Sequence, residues 1–290
     1  MDRPAASEAG IERLRRQLGE IDHELLDLLN RRMDVAREIG EWKRRNALSI
    51  FDPIREEGVI AELLRRNAGS LSDRAIRAIF LEIFSSARAQ QGILRIGCGG
   101  GAAGLLAAHG RFGASDRYRR VRSAADGIAL LEANSIDILV LPKEGLLDLA
   151  PALRQKIGSQ LGWSVCGEIA PLHASAHRRD ARPGFYIVRL GAEPPGPPEL
   201  PYAQRILFSV GGCSRESIDR WSNRHGDSWK LTGCAGGAEE GRRADSLVSL
   251  WEAFSPPPFE ALQEICRELC GNSAWIVRLG AYPISSVARL

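Results

Sequence analysis

The chain has 290 residues, 44% of them apolar and 26% charged, with a formal net charge of +3. This is an ordinary globular composition, and no stretch approaches the roughly eighteen consecutive apolar residues of a membrane helix. Residues 1–91 hold 16 Lys plus Arg against 16 Asp plus Glu, so the segment richest in arginine lacks the one-sided basic excess of a nucleic-acid-binding domain. Residues 1–10 contain no apolar run of the secretory kind, and residence in the cytoplasm is the expectation. The six cysteines, Cys98, Cys166, Cys213, Cys234, Cys266 and Cys270, show no paired two-spacer motif. Reduced thiols and no metal are expected. His173 and His177 lie four apart without the glutamate of a zinc-protease helix, so they read as surface or core histidines.

The first helix shows a seam at Ile11, Leu14, Leu18, Ile21, Leu25 and Leu28, resumed at Val35, Ile39 and Trp42. The three- and four-residue steps are those of a helix that packs along its length. Arg32 interrupts the seam. A charge at a seam position is costly unless it is paired, so Arg32 predicts an anion in the bundle interior. Lys43, eleven residues on, returns to within about 20° of Arg32 and about 16 Å along the axis. Asp52-Pro53 reads as the N-cap and first position of a second helix to about residue 66, with Arg55 and Glu56 in its first turn. Ser72 caps a third helix, whose apolar face is Ile76, Ile79, Phe80, Ile83 and Phe84 and whose Ser86 and Gln90 sit one turn apart.

Leu14-Arg15, Ile21-Asp22, Arg32, Ile39-Gly40, Lys43, Asp52-Pro53, Arg55-Glu56 and the tail from Ser86 to Gln91 together resemble the all-helical chorismate mutases. The resemblance implies an all-α three-helix domain that interlocks with a second copy into a homodimer. It implies a small-molecule substrate, chorismate, rearranged to prephenate with no cofactor and no metal. Carried over by position, it has Arg15 and Arg32 hold the substrate carboxylates, Arg55 assist, Glu56 take the ring hydroxyl, and Lys43 and Gln90 address the ether oxygen. Asp52 and Ser86 fall on the remaining polar positions. Arg15 precedes Arg32 by seventeen residues, about 25 Å along the helix and about 100° around it, so it must serve the partner chain. A lyase acting on isochorismate and a mutase of an amino analogue are alternatives on the same scaffold. A regulatory or partner-binding subunit that senses an aromatic metabolite is an alternative of another class.

After residue 91 the pattern changes to short apolar runs between turns. Residues 93–97 and 136–141 read as strands, with a small-residue helix at 102–109 after Gly99-Gly100-Gly101. This α/β pattern resembles an eroded prephenate dehydratase domain over 92–190. Gly101 and Ala103 stand where that family has threonine and serine, and Lys143-Glu144-Gly145 follows Pro142 in place of glutamate-asparagine-serine. Arg182-Pro183-Gly184-Phe185 replaces the threonine-arginine-phenylalanine motif. No dehydratase activity is expected. Residues 191–201, rich in proline and glycine, read as a linker.

Residues 202–290 then show strands at 205–210, 229–232, 246–254 and 274–279 with helices at 214–221 and 258–270. That βαββαβ order is ferredoxin-like, α+β, and resembles the ACT domain fused to dehydratases. Its ligand motifs are not recognisable in Gly211-Gly212-Cys213-Ser214 and Gly233-Cys234-Ala235.

Overall fold

The computed structural model describes residues 4–149, 152–153, 162–169, 184–191, 204–225, 229–235, 247–253, 262–264, 266–267 and 274–283. His173, His177, Cys270, the Arg182-Pro183 step and nearly all of the expected linker lie outside the described residues.

Three helices open the chain: α1 (Pro4–Arg45), α2 (Pro53–Arg66) and α3 (Asp73–Gln91). The caps are those the sequence implies. The Asp52 carboxylate accepts from the Arg55 amide with Pro53 at the first position, and the Ser72 hydroxyl accepts from the Ala75 amide. Forty-two residues make α1 about 63 Å long. From residue 10 on, its C-terminal third is the part that packs against other described residues. Residues 11–31 are exposed apart from Gly19, and burial begins at Ala36 and Gly40. Gly40 is glycine because a Cβ there would lie 2.8 Å from the Gln91 Cα, so α1 and α3 meet backbone to backbone.

A mixed sheet follows, built from β1 (Arg95–Cys98), β2 (Arg117–Arg120), β3 (Ile138–Pro142), β4 (Trp163–Ile169) and β5 (Phe185–Leu190). Helices α4 (Gly101–Phe112) and α5 (Ala124–Glu132) connect the first three strands, and a 3-10 segment, Lys143–Leu149, follows β3. β1 runs parallel to β2 and β3, while β5 is antiparallel to both β3 and β4. β2, Arg-Tyr-Arg-Arg, lacks an apolar alternation because it is an edge strand whose charges face solvent.

The last part comprises β6 (Gln204–Cys213), α6 (Arg215–His225), β7 (Trp229–Ala235), β8 (Leu247–Ala253) and β9 (Trp275–Pro283). Residues 262–264 and 266–267, within the helix expected at 258–270, are helical. The spatial order β9-β6-β8-β7 is fully antiparallel. This is the ferredoxin-like arrangement. The two sheets join through β4 and β9, which pair in parallel at Val165 and Gly280, giving one nine-stranded sheet in the order β2-β1-β3-β5-β4-β9-β6-β8-β7. Gly280 has φ 154°, and a Cβ on it would meet the Val165 carbonyl oxygen at 2.0 Å. The joint needs glycine at that position.

A second contact ties these parts. Glu252 on β8, fully buried, accepts from Lys143 Nζ at 2.6 Å, from the Tyr186 hydroxyl at 2.8 Å and from Arg205 at 3.0 Å. Lys143 and Arg205 also reach Glu168 at 2.7 and 3.0 Å. Burial acts to raise the Glu252 pKa, but Lys143 and its other partners outweigh it and hold the carboxyl below its ordinary value.

Candidate active site

The C-terminal third of α1, the start of α2 and the end of α3 enclose a cleft of about 470 Å³. Val35, Ile39, Val59 and Phe84 supply apolar walls, and Arg32, Lys43, Arg55, Arg88, Asp52 and Glu56 supply charge. Four cations against two carboxylates leave an excess of two positive charges.

Arg32 and Lys43 are held by their surroundings. Arg32 lies over the Phe84 ring at 5.5 Å. Its pKa is lowered by burial and then by Arg55, with Glu56 opposing. Lys43 Nζ donates to the Ile50 carbonyl at 2.9 Å. Burial lowers its pKa, and Asp52 and Glu56 offset part of that cost.

Glu56 is buried and accepts two charge-assisted bonds, from Arg88 Nη1 on Oε1 at 2.5 Å and from Arg111 Nη1 on Oε2 at 2.7 Å. Arg88 also donates to the Phe112 carbonyl at 2.6 Å and to Asp116 at 3.4 Å. Asp116 in turn accepts from the Leu94 amide at 3.1 Å. Burial pushes the Asp116 carboxyl up, and Arg88 opposes it. For Arg111 burial disfavours the charge, but Glu56 and Glu57 outweigh it and the pKa is raised. Arg111 sits on α4, so the bundle and the mixed sheet share one buried cluster of two arginines and two carboxylates. Phe51, from the α1–α2 connection, packs on Phe112 at 5.1 Å with Arg111 over its ring.

Of the eight residues singled out from the sequence, Arg32, Lys43, Asp52, Arg55 and Glu56 line the cleft. Ser86 is half-buried and Gln90 exposed, and neither lines it. Gln91 does, with its Oε1 buried and without a hydrogen-bond partner. The signal for Gln91 was present: the inward face of α3 runs Phe80, Phe84, Ala87 and Gln91 by four- and three-residue steps, and Gln90 lies about 100° off it. Arg15 is on the exposed half of α1, paired with Glu12 at 2.7 Å. Arg88, Arg111 and Asp116 escaped sequence reasoning; nothing in the spacing links α4 to Glu56.

The chain thus opens with a helical domain that carries a cationic, partly apolar cleft, followed by a sheet-rich region. Residues 14–92 match the family Chorismate mutase type II, so the chain carries an N-terminal domain of that family. The bifunctional chorismate mutase/prephenate dehydratase of Aquifex aeolicus (strain VF5) is 30% identical over 144 residues, 48% of this chain and 40% of that protein. The protein of the same description from Neisseria gonorrhoeae (strain ATCC 700825 / FA 1090) is 29% identical over 157 residues, 53% and 43% of the two chains. The chain therefore spans less than half the length of these curated relatives. Among solved structures, a chorismate mutase (Form II) from Thermus thermophilus is 36% identical, covering 27% of this chain and 88% of its own, with a TM-score of 0.26. A prephenate dehydratase from Streptococcus mutans covers 66% of this chain and 98% of its own at 14% identity, with a TM-score of 0.40.

Proposed function

We propose that the helical domain, residues 1–91, binds chorismate and rearranges it to prephenate as an interlocked homodimer. The observation that carries this reading is the excess of two positive charges in the cleft, which matches a substrate with two carboxylates. A Claisen rearrangement requires no nucleophile and no general base. The protein can help only by holding the folded conformer and by stabilising charge on the oxygen of the breaking C–O bond. Lys43 and Gln91, the latter in the place expected of Gln90, address that ether oxygen. Arg32 and Arg55 grip the carboxylates, Arg88 and Arg111 fix Glu56 for the ring hydroxyl, and Asp52 completes the polar rim, while Ser86 stands behind the wall. This chemistry draws on no metal and no cofactor.

The dimer is supported by the exposed half of α1. Ile11, Leu14, Leu18, Ile21, Leu25 and Leu28 are each 46–61% exposed and form one seam with no cover among the described residues. A second copy laid on that seam would bring Arg15 to the other chain's cleft. Residues 92–190 act as a dehydratase-like domain without dehydratase activity, joined by the 191–201 linker to an ACT-like domain at 202–290 that serves dimerisation. Supporting this, Lys143, which stands after Pro142 in place of a catalytic-motif glutamate, has its ammonium engaged by Glu168 and Glu252. The buried free thiols of Cys98 and Cys166 fit a reducing cytoplasm.

The experiment is direct turnover by the purified protein. Chorismate should be consumed and prephenate should accumulate, with no enzyme-dependent phenylpyruvate at neutral pH. Turnover of isochorismate without turnover of chorismate would replace the mutase with a lyase.

A further inference from the structure

A second cavity of about 480 Å³ lies behind the wall of the first cleft. Its floor is the face of β4 and β5 that carries Ser164, Cys166 and Arg189, and its opposite wall is the α1–α2 connection with Leu48 and Phe51. Ser164 and Arg189 are directly opposed across the antiparallel pair, so their side chains stand side by side on one face. The Ser164 hydroxyl is buried, with the residue 4% exposed, and has no hydrogen-bond partner among the described residues. No carboxylate pairs with Arg189 among the described residues. A buried hydroxyl without a partner beside a guanidinium without a counterion is an unmet demand for an acceptor, and a carboxylate meets both.

The charges decide how many carboxylates. Lys43 and Arg189 face Asp52, a net of one positive charge, whereas the first cleft has two. Burial pushes the Cys166 thiol up to about 12, so it stays neutral and adds no charge at neutral pH. Apart from Ser49, whose hydroxyl donates to the Phe51 carbonyl at 3.1 Å, the remaining lining is apolar, with Leu48, Phe51, Pro53, Ile54, Val165 and Leu190. We propose that this cavity is a second small-molecule site, for a monocarboxylate with a compact apolar body, whose acid group is held by Arg189 and Ser164.

The site is coupled to the first by a shared wall. Lys43 and Asp52 line both cavities, Ile50 lines the first and Phe51 the second, and the Ile50 carbonyl holds the Lys43 ammonium. A ligand seated against Phe51 fixes the segment that fixes Lys43, and its acid group competes for the same ammonium. Occupancy therefore slows turnover, a consequence that rests on the chorismate mutase reading, whereas binding does not. By linkage, a substrate bound in the first cleft weakens the carboxylate to the same degree.

The test uses the full chain, with 3-phenylpropionate as probe and 3-phenyl-1-propanol as its uncharged counterpart, by titration calorimetry. The acid should bind saturably and the alcohol roughly tenfold more weakly, the loss expected for one charge-assisted hydrogen bond. Arg189→Met should weaken the acid by about the same factor. Leu190→Glu, on the mouth, should weaken the acid more than the alcohol, a difference that misfolding would not produce. Arg32→Ala, which damages only the first cleft, should keep acid binding. The absence of saturable binding, equal binding to Arg189→Met, or loss of binding in Arg32→Ala would overturn the site. With binding established, chorismate turnover unchanged by saturating acid would overturn the coupling. A protein that binds the acid but never turns over chorismate would leave the site standing and sink the mutase reading instead.

Discussion

Replacing Arg111 with methionine tests whether the mixed sheet positions a residue of the cleft. The buried cluster contains two guanidiniums, Arg88 and Arg111, and two carboxylates, Glu56 and Asp116. Its formal charge is zero. Arg111→Met keeps most of the packing against Phe51 and Phe112 but leaves a net negative charge in the interior. Removing one partner of a buried pair costs about 3 to 5 kcal/mol, and because Arg88 remains on Glu56 the lower figure applies here. Equilibrium urea unfolding should show that loss as a lower midpoint with an unchanged slope. A double-mutant cycle with Glu56→Gln should give a coupling energy of about 1.5 to 3 kcal/mol, because the two side chains share one bond. Turnover should also fall, since Glu56 would keep Arg88 but lose the second of the two arginines that fix its orientation. An Arg111→Met protein as stable as the parent, with a coupling energy near zero, would refute the claim that α4 holds Glu56 in place.

Other outcomes are equally specific. Turnover should decline with rising pH below the range of an ordinary lysine, because burial lowers the Lys43 pKa and only the protonated ammonium can donate to the ether oxygen; Lys43→Arg should move that limb upward. Glu252 has a lowered pKa, so its contribution to stability is complete above the usual carboxylate range and is lost as pH falls through its folded value; Glu252→Gln should cost about 3 kcal/mol at neutral pH and flatten the acid limb of a stability curve. Mixing inactive Arg15→Ala and Lys43→Ala proteins under conditions of subunit exchange should recover activity, since each mixed dimer holds one intact site; exchange without recovery would count against a site shared between chains. Phenylalanine at millimolar concentration should not inhibit through residues 202–290, and a saturable inhibition that disappears on their deletion would contradict that.

What the sequence disclosed follows from physics that acts locally. The seam on α1, the Asp52 and Ser72 caps and the charges at Arg32, Lys43, Arg55 and Glu56 are all written in spacing, and the structure brings those four charges and Asp52 to one cleft. The choice between Gln90 and Gln91 depends on carrying the inward face of α3 through its last turn, where a two-residue run of glutamine offers both. Long-range partners left no trace. Arg111 lies 55 residues from Glu56, and Glu252 lies 109 from Lys143. A polar side chain chosen for a distant counterion looks, in one sequence, like a solvated one. The joint between β4 and β9 was hidden for the same reason, since nothing near Gly280 in sequence tells that the Val165 carbonyl occupies the space of its Cβ.

The most direct measurement is the rate of chorismate disappearance with purified full-length protein and excess chelator, for the parent and for Lys43→Ala. A preorganised donor to a developing oxyanion is worth about 3 kcal/mol, so the variant should lose about two orders of magnitude in kcat while remaining folded. The chelator should change neither rate. A parent that does not consume chorismate, or a folded Lys43→Ala protein that retains near-parental turnover, would contradict the proposed mechanism.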